Sequence, residues 1–462
     1  MPNAYLRGNW APVLDERDDA DLHVTGRLPD ELAGTFLRNG PNPQFAPLGR
    51  HHWFDGDGMV HAVRLQGGRA SYRNRWVQTR GLLLEREAGR ALWAGIMEPP
   101  QSDLPEQSPI LRTKKNVANT ALIRHAGRLF TFYDSAEPYL LDPETLATLG
   151  PFTFDGALRT GFASHPKIDP VTGEMMFMGA AMRRPARLHY GVIDAAGTLC
   201  HAVELPIPHA SYVHDLAITE RYTVLLDMPL LFDPRRLLTG ASAYEFARGM
   251  PCRIGVIPRH GRADEVRWFE TDTCFIAHTV NAWDEGDAVV LVAGRMDEIE
   301  LGAAQLAGGP IYNSTPMITR FRLDLRSGRV EVETLERGAA EFFQVSAARL
   351  GRRSRVAWAG RLSPYQLFAL GGVARIDLET GRADEFSFGA GRFGGDFQVV
   401  ARRGATAEDD AWLLVLVHDE WTDISSLLVL DARAPSRGPL ASVHLRRRVP
   451  YGVHSLWLAA AA

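Results

Sequence analysis

The sequence predicts an all-β protein, and its turn spacing points to a β-propeller of about seven blades. Three observations carry this. Short runs rich in β-branched and aromatic residues recur along the chain, each six to nine residues long as quoted and bounded by Gly, Asp or Pro: RLFTFYD, RLHYGVID, RYTVLLD, AVVLVAG, RVAWAG, AWLLVLVHD and SSLLVLD. Apolar strands repeatedly end in Asp and pass through a polar hairpin into a second strand, at Asp142, Asp169, Asp194, Asp324, Asp377 and Asp431. An Asp side chain caps such a turn and Gly supplies positive φ. The turns are periodic: Asp324, Asp377 and Asp431 stand 53 and 54 residues apart, while Asp142, Asp169 and Asp194 stand at about half that spacing. A unit near 50 residues built of hairpins is one four-stranded blade. A large β-sandwich or two β domains with common turn chemistry would share these turns.

Helical periodicity is scarce, and the best stretches are 80–92 and 233–248. No composition break marks a boundary, so residues 1–462 are expected to form one domain. Lysine and arginine number 51 against 55 acidic residues, a formal net charge of −4, which excludes a nucleic-acid binder relying on a basic face. Three widely separated cysteines (Cys200, Cys252, Cys274) build neither a disulfide framework nor a thiolate zinc site, and fit a reducing cytosol. The start of the chain lacks the order of a signal peptide, and no apolar run approaches the ~20 residues that span a bilayer. A soluble, cytoplasmic protein is expected, with no obligate protein partner evident.

Fifteen histidines are present, and most sit in turn-like contexts beside Gly, Arg or Pro. Four share another context, inside β-type runs with small or apolar neighbours: GFASHPK (His165), SYVHDLAI (His214), FIAHTVNAW (His278) and YGVHSLWL (His454). Their gaps of 49, 64 and 176 residues exclude a local helical metal motif. On a propeller, however, the innermost strands of the blades converge on one axis, where four inward imidazoles could meet and bind iron, copper, zinc or nickel. Carboxylates are then expected behind them, because a ligating histidine usually donates its other N–H to an acceptor. The GxSxG elbow, the Walker loop and the HExxH motif are absent from the sequence, and no GxGxxG follows a leading strand. FDGDGM (54–59) lacks the donors of a calcium loop and reads as a tight hairpin.

These motifs, with GTFLRNGPNP (34–43), HHWFDGDGMVHAV (51–63), NVANTALIRHAGRL (116–129), ATAEDDAWLLVLVHDE (405–420) and PYGVHSLWL (450–458), resemble the carotenoid cleavage oxygenases nearly end to end. The resemblance implies a seven-bladed propeller with a helical dome over one face and iron on its axis. His165, His214, His278 and His454 match the iron ligands. Glu341 matches a glutamate that supports one of them, and Asp134 and Asp396 stand where the family has longer glutamates. Thr120 matches the residue that restricts an open iron position, and Tyr133, Met59 and Phe275 are candidate substrate contacts.

The implied activity is an iron(II) dioxygenase with O2 as co-substrate, cleaving a C=C bond of an apolar conjugated molecule into two carbonyl products. The position before the first supporting acid is lysine in stilbene-cleaving members and commonly aromatic in apocarotenoid-cleaving ones. Tyr133 there favours an apocarotenoid, with a stilbene or phenylpropenoid as the alternative. A metal-supported propeller hydrolase is a further alternative, and would need carboxylate and asparagine ligands at the axis. Lys114 and Lys115 read as a solvated pair at a loop edge, with reach into a substrate tunnel as the other reading. The stretch 228–246 clusters Leu and Phe beside Arg235 and Arg236, as a peripheral membrane contact would, or as a dome helix would.

Overall fold

A computed structural model describes residues 3–101, 103–108, 110–111, 114–181, 185–302, 314–364 and 369–460. Seven antiparallel blades follow one another along the chain. Blade 2 runs from Leu122–His125 to Thr148–Pro151, blade 3 from Lys167–Ile168 to Leu199–Pro206, and blade 4 from Ala217–Ile218 to Arg267–Thr271. Blade 5 runs from Phe275–Glu285 to Val330–Glu336, blade 6 from Ala340–Gln344 to Ala383–Ser387, and blade 7 from Arg392–Ala401 to Pro439–His444. Blade 1 is made from both ends of the chain. Its strands Gly34–Arg38, Met59–Gln66 and Arg69–Trp76 are completed by Ser455–Ala459, which pairs with Gly34–Arg38.

The first strands of neighbouring blades touch around a ring. Ser455–Ala459 meets Leu122–His125 on one side and Arg392–Ala401 on the other, and the contacts continue through the first strands of blades 6, 5 and 4. Single bridges, Ala136 with Phe162 and His165 with Asp215, join blade 2 to blade 3 and blade 3 to blade 4. The architecture is therefore the seven-bladed propeller that the hairpin spacing and the motifs predict.

The Asp turns explain that spacing. Asp142, Asp194, Asp324, Asp377 and Asp431 each end the third strand of a blade, and each accepts backbone N–H groups two or more residues ahead. Asp169 instead ends a first strand, which produces the half-unit gap. Gly173, Gly197, Gly328 and Gly381 take positive φ in these turns, but in the glycine-free turn after Asp142 it is Leu146 that does so, at 62°. Blade 4 escapes the period because the segment 228–251 is inserted between its second and third strands.

The cap over the axis differs from the helical expectations. The helix predicted over 80–92 runs Arg80–Ala88, with Thr79 Oγ1 accepting the Leu82 N–H and Gly89 ending it at φ 66°. The stretch 233–248 is not a helix. Pro234–Thr239 forms a 3-10 segment, Gly240 stops it at φ 78°, and Tyr244–Phe246 pairs as a strand with Leu230–Phe232. Aromatic and β-hairpin pairing there outweighs an irregular three-and-four spacing.

Blade faces pack on apolar side chains. Trp358 in blade 6 is fully buried and donates its indole N–H to the Ala432 carbonyl of blade 7 at 2.8 Å. Trp358→Ala should cost ~3–5 kcal/mol of stability, read as a lowered denaturant midpoint; an unchanged midpoint would show that this contact does not hold the two blades together.

Candidate metal centre

The four histidines sit in, or just before, the inner strands of four blades. His278 lies within Phe275–Glu285, His454 directly precedes Ser455–Ala459, and His165 and His214 stand two and three residues before the first strands of blades 3 and 4. One ring nitrogen from each can be chosen so that all four lie within 4.8 Å of one another. The His165 ring packs edge-on against the other three, at centroid distances of 4.5, 4.9 and 4.2 Å to His214, His278 and His454. The Nε2 atoms of His214 and His278 stand 3.2 Å apart. Those of His165 and His454 are buried without a hydrogen-bond partner among the described residues. Orphaned nitrogens cost ~1–3 kcal/mol each unless something accepts their lone pairs, and a metal ion does so.

Behind the rings stand the carboxylates. His278 Nδ1 lies 2.5 Å from Glu341 Oε2, and His214 Nδ1 lies 2.8 Å from Asp134 Oδ2. The shorter aspartate reaches because the chain brings it close: its other oxygen accepts the Ser164 N–H at 2.7 Å, and Tyr212 donates its hydroxyl to Oδ2 at 2.7 Å. Asp396 does not close the gap. Its Oδ2 stands 3.6 Å from His454 Nδ1, beyond hydrogen-bond distance, and accepts the Ser455 N–H at 2.8 Å instead.

Backbone irregularities aim these groups. The ladder shifts register between Ile276 and Thr279, between Glu341 and Gln344, and between Gly394 and Phe397, so His278, Glu341 and Asp396 all sit at bulges. Phe342 adopts φ 55° beside Glu341 and lays its ring against His278 and His454. Below the imidazoles, Asp215 binds Lys167 Nζ at 2.7 Å and the Thr279 N–H at 2.7 Å, joining the inner strands of blades 3, 4 and 5.

Burial holds His165 well below the ordinary imidazole range and pushes His454 down to about 4, so both present neutral rings. Burial also acts to lower His278, but the Glu341 carboxylate outweighs it and the net shift is upward. Burial opposes the Asp134 charge, yet His214 and the hydrogen bonds to the carboxylate keep it below the usual range. Four imidazole nitrogens within 4.8 Å of one another, two of them buried and orphaned, fit a divalent transition metal.

A cavity of about 340 Å³ opens beside this point, walled largely by apolar side chains such as Phe54, Phe232, Phe275, Ile299, Leu301 and Val453. Thr120, Tyr133 and Phe275 line it, with three of the four histidines. Met59 does not. It packs with Val13, Trp76 and Leu82, its Sδ accepting the Asn74 amide at 3.2 Å, so its inward side is core rather than cavity. The lysines are not a solvated pair. Lys115 is buried in an ion pair with Asp57 and Glu85, while Lys114 lines the cavity. Sequence reasoning missed Tyr212, Phe342 and Lys167. Tyr212 stands two residues before His214, in irregular backbone that precedes the strand Ala217–Ile218, and stacks on its ring; Phe342 depends on a bulge that no pattern marks.

A propeller whose axis is lined by four imidazoles defines a metal-dependent enzyme of the oxygenase type. The comparisons name the family. Residues 10–459 match the family described as Retinal pigment epithelial membrane protein, and the chain belongs to it, within the carotenoid cleavage oxygenases. It is 36% identical to the carotenoid 9,10(9',10')-cleavage dioxygenase of Crocus sativus, covering 99% of this chain and 89% of that one. It is 30% identical to the carotenoid cleavage oxygenase of Mycobacterium tuberculosis, covering 98% and 97%. Among solved structures, the lignostilbene dioxygenase of Pseudomonas brassicacearum superposes with a TM-score of 0.90 at 29% identity, covering 100% and 99%. The cobalt-substituted apocarotenoid oxygenase of Synechocystis gives 0.85 at 27%, covering 97% of each chain.

The unequal carboxylate distances generate a ranking. Glu341→Gln and Asp134→Asn should each weaken metal binding ~10–100-fold, and Asp396→Asn should weaken it less, in competition titrations with a chromogenic chelator. Equal losses for all three would mean that the 3.6 Å gap closes on metal binding.

Proposed function

We propose that this chain, acting as one unit over residues 1–462, cleaves a C=C bond of an apocarotenoid to two carbonyl products. The iron-dependent, O2-using, alkene-cleaving class is that of the family. The observation that carries the reading is the convergence of four imidazoles from the inner edges of four blades, three of them at the wall of an apolar cavity. His165, His214, His278 and His454 would hold iron(II), which supplies activation of O2 for addition across the alkene. Imidazole donors set this apart from the carboxylate- and asparagine-held ion of a propeller hydrolase.

The protein's own contribution is placement and dryness. Phe275, Ile299, Leu301 and Val453 exclude water and leave an elongated hydrocarbon no polar partner except at defined points. The Tyr133 ring offers a face for a polyene to stack on. Thr120, tied to Asn119 Oδ1 at 3.0 Å, narrows the approach to the metal point. Asp134, Glu341 and Tyr212 fix the orientation of the imidazoles. No side chain need give or take a proton for the bond to break. A second reading, a stilbene or phenylpropenoid substrate, is favoured by the likeness to the lignostilbene dioxygenase.

Ferrous-loaded protein should consume one O2 per alkene with an apocarotenal, and mass spectrometry should find two carbonyl products each carrying one atom from labelled O2. Turnover of hydroxystilbenes alone would transfer the proposal to the second reading, and no O2 uptake with either class would overturn it.

Substrates of this kind partition into membranes. Among the described residues no helix is long and apolar enough to cross one. At the cavity's edge, however, Leu238 is 76% exposed next to the cavity-lining Leu237, with Arg235 and Arg236 beside it. We propose that this edge rests on a lipid surface as the substrate enters, within the cytoplasm. Leu238→Glu should reduce co-sedimentation with anionic liposomes and slow turnover of liposome-borne substrate, with detergent-dispersed substrate turned over at the original rate; equal rates in both would remove this role.

A further inference from the structure

The cavity wall carries one cation among the described residues that line it, and that cation has hydrogen-bonding capacity to spare. Lys114 Nζ donates to the Gly95 carbonyl at 2.6 Å and to the Glu98 carbonyl at 2.7 Å. An ammonium has three N–H bonds, so one is left. Two hydroxyls on the same wall, those of Tyr133 and Tyr244, have no hydrogen-bond partner among the described residues. Other polar groups of the wall are committed: Asp134 to His214, Tyr212 to Asp134, and Thr120 to Asn119.

The uncommitted donors stand together. Lys114, Tyr133 and Ile96 line both the large cavity and a small polar cavity of about 40 Å³ behind it, which holds Asp55. Asp55 interacts electrostatically with Lys114 and with Tyr133, and Tyr133 interacts with Tyr244. Lys114 and Tyr133 therefore share one stretch of wall. Donors left unmet in an apolar cavity carry a desolvation cost that an acceptor on the ligand removes.

We propose that Lys114 and Tyr133 form a subsite for a carbonyl oxygen at one end of a conjugated substrate. Both groups donate, and a carbonyl oxygen has two lone pairs with which to accept both at once. The subsite rests on the polyene reading given above and sharpens it, because it selects chains that already end in an aldehyde or ketone. A class of reaction that cuts a longer polyene to a carbonyl end would supply such a substrate. With its oxygen held at the wall, the molecule can place only certain double bonds at the histidines, so the subsite also sets which bond is cleaved.

The test compares a polyenal with the same polyene ending in methyl, bound to metal-free protein and turned over by the ferrous enzyme. For the wild type, the bound polyenal's absorption band should lie to the red of its position in Lys114→Met, because a hydrogen bond to the carbonyl lowers the excitation energy. In Lys114→Met the ratio of polyenal to methyl-ended affinity should fall ~10-fold, KM for the polyenal should rise more than kcat falls, and the cleavage products should become mixed. Lys114→Arg should restore most of the ratio and the red shift. Tyr133→Phe, which keeps the ring and its packing, should lower the ratio several-fold. A ratio and a band position that are unchanged in both Lys114→Met and Tyr133→Phe overturn the subsite while leaving the polyene reading intact. A wild type that binds neither polyene but binds hydroxystilbenes overturns both.

Discussion

The pairing of Gly34–Arg38 with Ser455–Ala459 is the constraint on which the molecule depends. Five backbone pairs tie the two ends of the chain into one blade and so close the ring. The same pairing places one of the four imidazoles. Arg38 stands opposite Ser455, the Asn39 N–H donates to the His454 carbonyl at 2.9 Å, and the Val453 N–H donates to the Asn39 carbonyl at 2.9 Å. His454 is therefore set at the axis by the closure itself. The other three histidines arrive in or just before strands whose positions are set by their blades, and all four meet only when the ring is shut. Closure and metal site stand on the same backbone hydrogen bonds, so a metal ion that binds the closed ring also stabilises it.

Inside the ring the conflict is between burial and polarity. Four imidazoles, three carboxylates and a lysine–aspartate pair lie where apolar packing would be cheaper. Such groups persist in a core only when their hydrogen bonds are met. Asp215 meets this requirement through Lys167 and Thr279, and Glu341 through His278 and the Phe342 N–H at 3.0 Å. Among the described residues the exceptions include Glu341 Oε1 and the Nε2 atoms of His165 and His454, and the two ring nitrogens, on the metal side, mark where a ligand belongs. Bulges at three of these positions show how the backbone accommodates the site: the ladder gives up regular pairing so that a side chain can turn toward the axis.

The sequence made the scaffold legible because each blade repeats one local solution. An Asp that caps its own hairpin has a reason independent of tertiary structure, and five such turns fall at the same point of five blades. The histidines were legible for a related reason, since strand context and small neighbours set them apart from the turn histidines. What escaped depends on long-range placement. The inserted segment 228–251 hid blade 4 from the period. Its Leu and Phe spacing suggested a helix, but Gly240 and strand pairing decided otherwise. Met59 looked like a cavity residue from its motif, yet strand alternation turned it into a packed cluster with Trp76. Lys115 looked solvated because its partners, Asp57 and Glu85, are 58 and 30 residues away.

The two aspartates show how far one methylene can be absorbed. At Asp134, Ser164 and Tyr212 fix the carboxylate, and the bond to His214 forms at 2.8 Å. At Asp396 the carboxylate is held by its own neighbours, the Phe397 and Ser455 N–H groups, and these keep it 3.6 Å from His454. Three imidazoles thus have outer neighbours of unequal strength. His278 is gripped by a charge-assisted contact of 2.5 Å, His214 by one of 2.8 Å, and His454 by backbone closure rather than by its acid. The imidazole with the weakest carboxylate is the one that the ring closure holds most directly, so backbone pairing substitutes there for the hydrogen bond that the shorter side chain does not make.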